Sequence, residues 1–206
     1  MAIKVITGPT AEPITLAEAK VHLKVEEDVT VDDTLITGMI VAARRAVEAL
    51  TGRALMPQTL ELAMDDFPRL NCRAGYNRIE KAQALQIKVP KAPLVDITSF
   101  KYVDSAGVLQ TLGLSGYQLD SHSEPARLLP PVDAYWPEIN NQVNAVLIRF
   151  TAGYANAAAV PQEIKNWMLL RIGMLYENRE EFIVGGSIAE IPFVDRMLDD
   201  VKVWGI

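Results

Sequence analysis

A chain of 206 residues is long enough for one large domain or a domain with a sizeable insertion. Half of it is hydrophobic, 22% is charged, and the net charge is −6 with a pI near 5.0, so a general basic footprint for nucleic acid is absent. Cys72 is the single cysteine, which excludes an internal disulfide. The opening residues lack a secretory leader, and no run of about twenty apolar residues predicts a membrane helix.

In chain order, PITLAEAKVHLKV begins with Thr15 and carries Glu18 three residues on, a capping box that predicts a short helix over 16–24. The next stretch, VDDTLITGMIVAARRAVEALTG, repeats Leu35, Ile36, Met39, Ile40, Ala43, Val47 and Leu50 at three- and four-residue steps. That is one apolar helical stripe, with Asp32 or Asp33 as its N-cap and Gly52 as a left-handed C-cap. Away from the stripe, Gly38, Ala42 and Ala49 form a line of small residues with Val41 nearby, where another backbone can approach closely. Arg44 and Glu48, four apart, predict an ion pair on the helix surface.

From residue 55 the period changes. Leu60, Leu62 and Met64 alternate with Thr59, Glu61 and Asp65; LQIKVP alternates Leu85, Ile87 and Val89. SFKYVDSAGVLQTL predicts two strands around a turn at 104–107, and YQLD and AVLIRFTAGY predict two more. Most of the prolines fall between Pro57 and Pro161, which excludes long helices there. Residues 55–155 are therefore expected to be a β-rich insertion between helical parts at 1–54 and 156–206.

Helical signals return after Pro161. Ile164, Met168, Ile172 and Leu175 make one stripe, and Leu169, Leu170 and Met174 a second. A helix apolar on most sides has to be covered on most sides, in part by a partner subunit. Arg171, amid Trp167, Met168, Ile172 and Met174, reads either as a buried ion pair or as a snorkelling surface arginine. Gly185 and Gly186 make a hinge, and IPFVDRMLDDVKVW predicts a last short helix.

Chemistry-bearing motifs are sparse. His22 and His122 are far from Cys72 in sequence and lack metal-ligand spacing, so no metal or cofactor is expected. No phosphate loop and no nucleophile elbow occurs. Tyr102, Tyr117 and Tyr154 fall on strand-like segments and read as sheet packing. Glu177 and Glu181 share a helix face, and a carboxylate-dependent hydrolase would need such a pair. Carboxylates sit badly at a helix C-terminus, whose dipole is already negative. Cations from a neighbouring subunit would offset this, with Arg179 as the reciprocal group.

Taken in order, PITLAEAKVHLKV, DDTLITGMIVAARRAVEALTGRALMPQTLEL, ITSFKYVDSAGVLQTL, VLIRFTAGY and VPQEIKNWMLLRIGMLYENRE resemble the head–tail connector proteins of long-tailed bacteriophages, also called adaptor or head-completion proteins. The resemblance runs from about Pro13 to Glu180. It implies an α+β fold, a mainly helical connector module with a β-rich insertion between the second and third long helical segments. It also implies a phage or prophage structural protein without catalytic residues, found at the head–tail junction of the virion and in the bacterial host cytoplasm during assembly. Such a protein forms a homo-oligomeric ring beneath the portal protein, extends the DNA channel without binding DNA specifically, and docks the next tail-side connector or tail-completion protein. The acidic charge suits a DNA conduit, since a basic lumen would hold DNA back. Gly38, Val41, Ala42, Arg45, Arg171, Glu177, Arg179 and Glu181 are the expected subunit interface, and Phe193, Leu198 and Trp204 the expected portal or neighbour contacts. The alternatives are the small hydrolase and a peptide- or glycan-binding module built on the β insertion.

Overall fold

The structure is a computed structural model that describes residues 1–70, 76, 78–178 and 193–204, with only the backbone of residues 78, 193 and 195. The chain forms two compact units. One comprises Met1–Gly8, Pro57–Gly153 and Trp204–Ile206; the other comprises Pro9–Met56 and Tyr154–Val203.

The helical unit starts with α1 (Leu16–Leu23). Its capping box forms as expected: the Thr15 hydroxyl accepts from the Glu18 N–H at 3.2 Å, and the Glu18 carboxylate accepts from the Thr15 N–H at 2.7 Å. The bond from the Thr15 N–H, joined by one that the Thr15 hydroxyl donates at 2.8 Å, holds the Glu18 carboxyl below its ordinary value. Lys20 is buried, and its ammonium donates to the carbonyls of Glu27 (3.2 Å) and Val29 (2.8 Å) and pairs with Asp33 at 2.6 Å. One side chain thus ties α1 to the loop that follows and to the start of α2 (Asp33–Thr51).

Along α2, Ile36, Ile40, Ala43 and Val47 are buried, but Leu35 and Leu50 are exposed. At about 100° per residue Leu35 lies a quarter-turn or more off the line through Ile36, and Leu50 is in the last turn. The expected stripe was drawn too wide. Asp32 occupies the N-cap without a side-chain capping bond; its carboxylate accepts instead from the Tyr176 hydroxyl at 2.7 Å. Gly52 takes the left-handed C-cap at φ 71°. The Arg44–Glu48 pair forms at 3.0 Å, yet it is buried rather than on the surface. Glu12 reaches Arg44 at 2.7 Å, and the Leu55 N–H donates to Glu48 at 2.9 Å. The additional partners compensate for desolvation.

α4 (Gln162–Glu177) follows Pro161, which stands just before the first helical residue. Ile164, Trp167, Met168 and Ile172 are buried against α1 and α2, whereas Leu170 and Met174 stay exposed. The described C-terminal segment holds α5 (Phe193–Arg196) and a 3₁₀ turn at Asp199–Val201, shorter than the expected helix. Leu198 is 1% exposed in the core of this unit.

The other unit contains β1 (Ala2–Thr7), β2 (Gln58–Met64), α3 (Arg78–Leu85), β3 (Ile87–Val89), β4 (Leu94–Val103), β5 (Leu109–Thr111), β6 (Gln118–Asp120), β7 (Ala126–Leu129) and β8 (Val146–Ala152). A five-stranded sheet runs β1-β2-β8-β4-β5 and a three-stranded sheet β3-β7-β6, all pairs antiparallel. β2 and β8 alternate buried and part-buried residues in full register, as their two-residue period requires. The turn at 104–107 forms around Asp104, whose carboxylate accepts from the Ala106 and Val108 N–H groups, with Gly107 at φ 83°. Phe67 stacks on Trp136 at 5.1 Å, and Phe100, Tyr102 and Tyr117 complete an aromatic cluster. Tyr102 and Tyr117 are thus packing residues. Three elements were not expected from the sequence: β1, α3 and β7. β1 pairs through its backbone although every side chain in it is exposed, so it carries no burial pattern to read.

Candidate subunit interface

Among the described residues, the helical unit has an apolar groove on its surface. The groove, of about 450 Å³, runs between the first half of α2 and the end of α4, lined by Thr34, Leu35, Gly38, Met39, Ala42, Leu175 and Asn178. Its floor follows from sequence: Gly38 and Ala42 are one turn apart, and a Cβ built on Gly38 would meet nothing within 4 Å. Small side chains on that face keep the helix backbone accessible. The Tyr176–Asp32 hydrogen bond joins the end of α4 to the start of α2. Beside it on α4, the exposed Leu170 and Met174 belong to the second apolar stripe.

Of the expected interface residues, Gly38 and Ala42 line the groove; Arg45 is exposed on the same helix, and Val41 is half-buried. Arg171 is exposed, and its guanidinium lies 3.7 Å from the Met174 sulfur. This is the snorkelling arrangement, not a buried ion pair. Glu177 is exposed in the last helical position. Asn178 caps the helix, its backbone N–H and its side-chain amide both donating to the Met174 carbonyl at 3.0 and 3.1 Å. Arg179 and Glu181 lie outside the described residues, as do Gly185 and Gly186.

Leu198 was expected on a docking surface and is instead in the core. Its neighbours include Val194 and Val201, packed against α2 and α4. The chain beyond it is pinned by the Arg53 guanidinium, which donates to the Val201 carbonyl, and by the Val203 N–H, which donates to Thr51 at 2.8 Å. A leucine that fills a cavity between helices cannot also reach a partner. Trp204 is exposed, and of Phe193 only the backbone is described.

Sequence reading missed Thr34, Leu35, Met39, Leu175 and Asn178 as groove residues. Met39 and Leu175 were assigned to buried stripes, and both are half-buried on the flank between core and solvent. The signal available was the adjacency of those flanks to the small-residue line. Among the described residues, no group of three or more His, Cys, Asp or Glu side chains is placed to hold a metal ion, and no helix is long and apolar enough to cross a membrane.

Residues 13–86 match the family model described as phage gp6-like head-tail connector protein. Over that segment the chain is similar to head–tail connectors. The match covers α1, its capping box, the buried Lys20 tie and all of α2, hence most of the groove. Solved structures extend the likeness of fold to the rest of the chain. One, titled the neck of an empty GTA particle computed with C6 symmetry, has a TM-score of 0.77 at 23% identity, covering 100% of this chain and 97% of that one. The virion of a native gene transfer agent particle gives 0.76 at 23% over the same shares. The neck of the native particle computed with C12 symmetry gives 0.72 at 24%, again over 100% and 97%. No curated protein matches the chain in sequence.

Proposed function

We infer that this chain is a structural head–tail connector of a phage or prophage particle, not an enzyme, and that it works as a ring beneath the portal protein. The observation that carries the reading is the connector match over residues 13–86, which includes α2, one wall of the α2–α4 groove. A ring subunit needs two unlike surfaces that meet head to tail. The groove floored by Gly38 and Ala42 is one, and in this reading Val41, Arg45, Arg171 and Glu177 extend that surface, with Arg179 and Glu181 following in sequence. The necks of the similar particles, computed with C6 and C12 symmetry, support a ring of this kind. In this reading the ring extends the DNA channel, lets DNA pass without specific contacts, docks the next tail-side component, and assembles in the host cytoplasm. Phe193 and the exposed Trp204 remain the candidates for portal contact.

Native mass spectrometry and negative-stain imaging, with and without purified portal, test this. Rings are expected on portal or at high concentration. Ala42→Glu puts a charge on the groove floor and Glu177→Lys reverses the charge at the rim, so both are expected to weaken rings while leaving the melting temperature unchanged. A protein that stays monomeric and never decorates portal refutes the reading. Rings that form normally in both variants move the interface elsewhere.

A further inference from the structure

We draw no further inference here: the strongest candidate, the aromatic-lined cavity of about 260 Å³ in the β-rich unit beside Phe67, Leu85, Tyr135 and Trp136, carries nothing because nothing in the structure shows what would fill it.

Discussion

Leu198→Ala tests whether the C-terminal segment belongs to the helical core or to a separate docking arm. Leu198 is 1% exposed in a cluster with Ile36, Ile40, Val47, Ile164, Met168 and Ile172. Truncation to alanine removes three carbons, about 2.5 kcal/mol of transfer free energy at about 0.8 kcal/mol per buried methylene. The cavity left among helices that relax only in part brings the total to about 3–4 kcal/mol. At about 4–8 °C per kcal/mol for a unit of this size, the transition of the helical unit falls by more than about 10 °C. Trp204→Ala, at an exposed position, is the control and is expected to stay within about 0.5 kcal/mol of wild type. Thermal melting by circular dichroism reads both. If Leu198→Ala melts within a degree or two of wild type, the segment is not part of the core and the packing argument fails. The same reasoning applies to removing residues 187–206. That deletion takes out Leu198, Val201 and the backbone bonds to Arg53 and Thr51, so it destabilises the fold as well as any attachment it serves.

Two further outcomes follow from buried and capped carboxylates. Glu48→Ala strips Arg44 of one of its two carboxylates and leaves the Leu55 N–H without that acceptor, so the urea midpoint should fall by an amount equivalent to about 3–5 kcal/mol; a loss below about 1 kcal/mol would show that water replaces the network. The Glu18 carboxyl is held down first by the Thr15 backbone bond and then by the Thr15 hydroxyl, so its pKa is lower folded than unfolded. Its contribution is therefore complete above the unfolded value near 4.5 and is lost as pH falls through the folded pKa. Glu18→Gln should flatten the stability profile below pH 4.5, and identical acid limbs for variant and wild type would refute the assignment.

How far the sequence carries depends on whether a signal is local. The capping box at Thr15 and Glu18 and the Gly52 C-cap involve neighbours in the chain, and both form as the residues dictate. Leu60, Leu62 and Met64 announce a half-buried strand because the period of two is a backbone property. The order of helical, β-rich and helical stretches was legible for the same reason, and with it the resemblance to connectors. The candidate interface was half legible: Gly38 and Ala42 stood out as small residues on a helix, but Leu35 had the same apolar character as the buried Ile36.

What only the tertiary structure decided is which apolar and charged groups are covered. Hydrophobicity says that Leu35, Leu50, Met174 and Leu198 favour burial; it does not say which of them finds neighbours. Leu198 is covered because a distant segment of chain returns to α2 and α4, while Leu35 and Met174 are not. Arg44 and Glu48 have the spacing of a surface pair, and only the approach of Glu12 and Leu55 makes them an interior network. β1 joins the sheet through backbone bonds to a partner more than fifty residues away, information that none of its own six side chains holds. Periodicity and capping are written in neighbouring residues. Coverage is a property of surfaces that meet after the chain has folded, so a single sequence determines the elements and leaves their free faces to the packing.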